Sequence, residues 1–127
     1  MKDEIFHKYG KDINLIVINW EHRSLTLYAS KAAVAVPVVA AEFVQVLRRL
    51  GQYRGELDYS TFYLIGHSFG AQIVGLAGRT IFERSGGKRF GTIIALDVAD
   101  HCFQRDEPYV MYDETISTFS AVRVKVI

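Results

Sequence analysis

The chain is 127 residues long, half of them hydrophobic and 13% aromatic, with a formal net charge of +1 and a pI near 7.9. That length fits one domain or part of one, the composition excludes a disordered chain, and the near-neutral charge gives no electrostatic basis for nucleic-acid binding. The single cysteine, Cys102, excludes an internal disulfide and a cysteine-built metal cluster, and no cofactor is implied.

Met1-Lys2-Asp3-Glu4 carries mixed charge and no apolar signal-peptide run follows it. The most membrane-like run, Ala32 to Ala41, is about ten residues where a spanning helix needs roughly 20, so a soluble chain with no transmembrane segment is expected. Met1 to Asp12 is polar with scattered aromatics and reads as a helix end or a loop. Ile13 to Trp20 is a nearly continuous β-branched run, the pattern of a strand buried on both faces of a parallel sheet, with Glu21 to Ser24 as its exit loop.

From Ser30 to Leu50 the period becomes helical. Val36, Val39, Ala40, Phe43, Leu47 and Leu50 recur at helical spacings, with Glu42, Arg48 and Arg49 on the other face. Pro37 kinks this helix or marks its first turn, and Gly51 is the expected stop. Gln52 to Ser60 is polar and turn-like. A strand over Phe62 to Ile65 follows, and then Gly66-His67-Ser68-Phe69-Gly70 leads into a helix carrying Ala71, Gly75 and Gly78 on one stripe. Ser85-Gly86-Gly87 ends that helix. Thr92 to Leu96 is the next buried strand, Asp97 stands at its carboxyl end, and Ala121 to Ile127 alternates as a last strand. This rhythm predicts an α/β domain with a mostly parallel sheet, in which function gathers at the carboxyl ends of the strands.

The stretch that carries chemistry is Gly66-His67-Ser68-Phe69-Gly70, spelled G-x-S-x-G between a strand and a helix. That context is the one a nucleophile elbow requires: the chain turns so sharply at Ser68 that side chains at Gly66 and Gly70 are expected to collide. The turn presents the Ser68 hydroxyl above the sheet, where backbone N–H groups and the positive helix end meet a developing oxyanion. A phosphate-cradling loop or a merely structural turn is the alternative. Ser68, however, stands where a dinucleotide fingerprint wants its second glycine, and no Gly-Lys-Ser/Thr follows.

A serine hydroxyl needs a base, and an imidazole base needs a carboxylate to fix its tautomer. In elbow-bearing sheets the order is Ser, then Asp or Glu, then His. Asp97 is the natural acid; Asp100, Asp106 and Asp113 are weaker candidates. Among the histidines, His7 and His22 precede Ser68, His67 adjoins it, and His101 has the right order but follows Asp97 by only a short loop. The base is therefore expected beyond Ile127, with His101 the alternative.

The segments NLIVINW (followed by Tyr28 and Ala29), LIGHSFGAQIVGLAG and ALDVADHCF resemble the animal lipase family that includes pancreatic, hepatic and lipoprotein lipases, insect phospholipases A1 and the yolk proteins. The resemblance implies a partial α/β-hydrolase fold over residues 1–127, with Ser68 as nucleophile, Asp97 as triad acid and the Phe69 N–H as an oxyanion donor. It further implies a serine ester hydrolase acting on glycerolipids (triacylglycerol or phospholipid), with transient contact to a lipid interface and an extracellular location. The family commonly has Leu and His at the places of Phe69 and Gln72, and Pro at Val98. Its upstream His-Gly oxyanion loop, lid and catalytic histidine are absent from this stretch. A truncated, poorly active chain is thus expected, and a non-catalytic lipid-binding or yolk-type protein is the other class, disfavoured by the intact Ser68 and Asp97.

Overall fold

The computed structural model describes residues 2–10, 12–20 and 29–99. His22, Asp100, His101, Asp106, Asp113 and the strand expected at Ala121 to Ile127 lie outside the described residues. Helix α1 (Lys2–Tyr9) has Asp3 and Glu4 in its first turn and His7 and Lys8 in its last, as the helix dipole favours. Gly10, at φ +75°, closes it with an N–H bond to the Phe6 carbonyl at 3.0 Å.

The β-branched run after α1 forms no strand, contrary to the sequence expectation. Val17 is 70% exposed, and Ile16 and Ile18 are exposed as well. The segment is anchored instead by Trp20, which packs against Val36, Val39, Ala40 and Ile73 on the two long helices. An apolar run states that it seeks burial and leaves open which partner supplies it; among the described residues only Trp20, at its end, packs on the helices.

Helix α2 (Ala29–Arg54) is 26 residues long. Val36, Val39, Ala40, Phe43 and Leu47 are buried as their spacing predicts, and Val44 joins them. Pro37 lies inside the helix and does not mark its first turn. Nor does Gly51 stop it: the helix continues to Arg54, and Gly55, at φ +87°, follows its last turn. Gly51 fits a helix at modest cost, whereas only Gly55 adopts the left-handed conformation that suits glycine.

A short 3₁₀ turn (Tyr59–Thr61) is capped by Asp58, whose carboxylate accepts from the Ser60 N–H at 3.0 Å and the Ser60 hydroxyl at 2.6 Å. Strand β1 (Tyr63–His67), helix α3 (Phe69–Arg84) and strand β2 (Thr92–Leu96) follow. β1 and β2 pair in parallel, in register from Tyr63 opposite Thr92 to His67 opposite Leu96. Parallel neighbours need a crossover, and α3 supplies it. β1 starts later than expected and runs through Gly66 and His67, so the turn falls on Ser68 alone.

One core joins these parts. Phe43, Val44 and Leu47 of α2, Leu64 of β1, Val74, Ala77 and Ile81 of α3, and Phe90 and Ile93 cluster together. Tyr59 meets Phe90 edge-on at 5.5 Å between ring centroids, an arrangement aromatic quadrupoles favour. The start of β2 is pinned to the 3₁₀ turn: Gly91 donates to the Tyr59 carbonyl at 3.1 Å, and a Cβ on Gly91 would lie 2.8 Å from the Ser60 carbonyl carbon. At the far end of α3, Gly86 takes φ +72° and Gly87 donates to the Phe82 carbonyl at 2.9 Å, the αL stop expected of Ser85-Gly86-Gly87. The face of β1 bearing Tyr63 and Ile65 is exposed among the described residues.

Candidate active site

Ser68 is the single residue between β1 and α3, and its backbone is strained. It takes φ 54° and ψ −120°, outside the wells an L-residue favours, at a cost on the order of 1–3 kcal/mol. Its neighbours explain how that turn closes. A Cβ on Gly66 would come within 2.5 Å of the Gly70 carbonyl carbon and 2.6 Å of the Ala71 nitrogen, so the strand meets the helix backbone to backbone. The matching expectation for Gly70 is corrected: a Cβ there would meet nothing within 4 Å. The collision that demands glycine is one-sided, because the strand residue points into the helix while the helix residue points away.

Ser68 caps α3 without using its side chain, so the hydroxyl is not engaged by the helix end. Its carbonyl accepts the Ala71 N–H at 3.1 Å, and its own N–H donates to the Leu96 carbonyl at 2.9 Å. Phe69 is the first residue of α3, in the turn where N–H groups have no i−4 carbonyl within the helix, and its ring packs on the Val36–Ile73 cluster. A negative charge beside Ser68 would face the positive end of a 16-residue helix.

Asp97 follows β2 directly, as Ser68 follows β1, and the register His67 opposite Leu96 sets the two side by side at the carboxyl edge. Asp97 also has a left-handed backbone, φ 42°. Among the described residues, Ser68 and Asp97 are the two non-glycine residues with positive φ. Strain of this kind gathers at functional sites, and here it falls on the two positions that the sequence singles out.

The histidines divide differently. His67 is the last residue of β1 and lies on its exposed side with Tyr63 and Ile65, opposite the side of Leu64 and Gly66 that meets α3. His7 lies on α1. Among the described residues neither is hydrogen-bonded to Ser68 or Asp97.

A residue beside the site, noted in the sequence only as a departure from the family pattern, has a contact that the sequence does not show. Gln72, one turn into α3, is 4% exposed, and its side-chain amide donates to the Ala99 carbonyl at 2.6 Å. Its signal was a lone polar residue among Ala71, Ile73, Val74 and Gly75, all buried, four positions after Ser68.

With this geometry in hand, the relatives of the chain are informative. The family model described as Lipase matches residues 1–123. The chain belongs to the lipase family. It is 34% identical over 109 residues to pancreatic lipase-related protein 2 of Homo sapiens, an overlap covering 84% of this chain and 21% of that relative. To pancreatic triacylglycerol lipase of Equus caballus it is 34% identical over 111 residues, covering 86% of this chain and 22% of the relative. The same protein of Cavia porcellus is 35% identical over 111 residues. The lipase chain thus spans about a fifth of the length of these relatives, at 21% and 22%. Lipase-type ester hydrolysis and lipid ester substrates are what the family implies, together with an α/β-hydrolase fold, with which the small parallel sheet and its helices are consistent. No helix among the described residues is long and apolar enough to cross a membrane.

Proposed function

We propose that this lipase-family chain is the central part of a serine ester hydrolase of α/β-hydrolase fold, acting on glycerolipid esters outside the cell. The observation that carries the reading is the strained turn at Ser68 beside the strained turn at Asp97, at one edge of a parallel sheet. Ser68 Oγ attacks the ester carbonyl carbon as an imidazole base takes its proton. The tetrahedral oxyanion is stabilised by the Phe69 N–H and the N-terminal end of α3. Collapse expels the alcohol, protonated by the imidazolium, and leaves an acyl-Ser68 ester. Water activated by the same base releases the fatty acid and restores Ser68. Asp97 fixes the imidazole tautomer and stabilises its charged form. The base comes from His101 or from a segment outside these 127 residues; that the chain spans about a fifth of these relatives' length supports reading residues 1–127 as one portion of a lipase domain. Two intact groups of a triad favour this reading over a non-catalytic lipid-binding protein, which needs neither.

The test is turnover of a short-chain ester and labelling by a fluorophosphonate, on the whole lipase domain and on the 127-residue chain, each against Ser68→Ala. The whole domain is expected to turn over ester and label at Ser68, and the short chain to show only residual activity. Turnover that survives Ser68→Ala in the whole domain would overturn the nucleophile. Robust Ser68-dependent turnover by the short chain would move the base to His101.

A further inference from the structure

We propose that Gln72 is a positioning residue that fixes the Asp97 loop against the helix carrying Ser68. This rests on the catalytic roles proposed above for Ser68 and Asp97. The loop after β2 is held on both sides of Asp97, by a donor at the Ser68 turn and by a donor in the first turn of α3. Before it, the Leu96 carbonyl accepts the Ser68 N–H at 2.9 Å. After it, the Ala99 carbonyl accepts the Gln72 side-chain amide at 2.6 Å. Asp97 and Val98 are thus the only residues between two anchors, and Asp97 takes the left-handed φ of 42° within that bracket.

The anchor is not an exposed surface contact. Gln72 and Ala99 are each 4% exposed, so the bond is made away from water, where an unmade partner is costly. Ser68 immediately precedes α3, and Gln72 stands in the first turn of that helix, so both are fixed to the same helix end. A shift of the Ala99 anchor would therefore change the separation between acid and nucleophile. Packing alone does not account for an amide here. The Gln72 Oε1 atom is buried with no hydrogen-bond partner among the described residues, so an apolar side chain of equal length would fill the same space without that orphan. What the apolar residue lacks is the N–H that reaches Ala99. Charge relay through Gln72 plays no part: its side chain touches the loop, and the loop carries the carboxylate.

Gln72→Met, of similar length and without a donor, and Gln72→Leu, apolar and likewise without a donor, test this in the whole lipase domain. Backbone hydrogen exchange is read at Asp97, Val98 and Ala99, and kcat and KM are read per fluorophosphonate-reactive Ser68. Both variants are expected to speed exchange at those three residues about tenfold or more while β1, β2 and the rest of α3 keep their protection. They are expected to lower kcat about tenfold with KM changed less than twofold. Unchanged exchange at 97–99, or a rise spread evenly over the domain, would overturn the proposal, as would a normal kcat with the loop loosened. If the parent domain shows no Ser68-dependent turnover, the proposed function fails, while the exchange measurement still decides whether Gln72 holds the loop.

Discussion

The backbone N–H of Ser68, one residue beyond the last strand pair of His67 with Leu96, donates to the carbonyl of Leu96 at 2.9 Å. The bond extends the ladder by one rung past β1, and it brings the residue after each strand, Ser68 and Asp97, to the same height on the sheet edge. Proximity of the two groups is therefore a property of strand register, which every hydrogen bond of the parallel pair supports.

Relief of the strain at Ser68 should be measurable. Ser68→Gly removes the Cβ from a residue at φ 54° and is expected to raise stability by about 1 kcal/mol while abolishing fluorophosphonate labelling. Thermal unfolding reads the first effect as a few degrees in Tm. A lower midpoint would mean that the turn is not strained in solution.

Asp97→Asn keeps a side chain that tolerates left-handed backbone but removes the charge that would hold an imidazole. Its folding stability is expected to stay within about 0.5 kcal/mol of the parent. Ester turnover by the whole domain is expected to fall by a factor on the order of 10⁴. Normal turnover would move the acid to Asp100, Asp106 or Asp113.

The two glycines of the elbow should respond oppositely to the same change. Gly66→Ala drives a methyl into the Gly70 carbonyl and the Ala71 nitrogen. It is expected to cost about 3 kcal/mol or more, since backbone on the far side cannot move aside as a side chain can. Gly70→Ala meets open space in a first helical turn and is expected to be neutral or to stabilise by up to about 1 kcal/mol. Denaturant midpoints of the two variants decide it, and equal losses would contradict the one-sided collision.

A second pair separates a helix interior from a helix end. Gly51→Ala lies within α2, where ordinary van der Waals contact with Leu57 Cγ at 3.7 Å awaits the new methyl, and it is expected to stabilise by about 0.5–1 kcal/mol. Gly55→Ala, at φ +87°, is expected to destabilise by about 1 kcal/mol. Urea unfolding of both checks where α2 ends, and the reverse order would return the stop to Gly51.

Where the sequence was legible, a local rule and a tertiary need agreed. The α2 face from Val36 to Leu47, the Ser85-Gly86-Gly87 stop and the strand at Thr92 to Leu96 each combine a period or a turn residue with burial. The serine turn was legible because its geometry is dictated within five residues. The Ile13 to Trp20 run was misread because β-branched composition alone does not supply a pairing partner; Ile16, Val17 and Ile18 are exposed, and only Trp20 packs on α2 and α3. Gly51 and Gly55 are alike as letters, and only the backbone angle at Gly55 separates them. The contact of Gln72 stayed hidden because its partner is a carbonyl 27 positions away, and a backbone acceptor leaves no residue signature.

The αL stop at Gly86 has a practical reach beyond ending a helix. Ser68 and Gly86 lie at opposite ends of α3, about 24 Å apart at the rise of an α-helix, and the residues from Gly86 to Arg89 are all exposed. Gly87 is tied back to the Phe82 carbonyl while Lys88 pairs with Glu56, so chain added at Gly86 would enter solvent at the end of α3 remote from Ser68. That makes this turn a port for a fluorescent reporter or an immobilisation tag that leaves the serine edge clear.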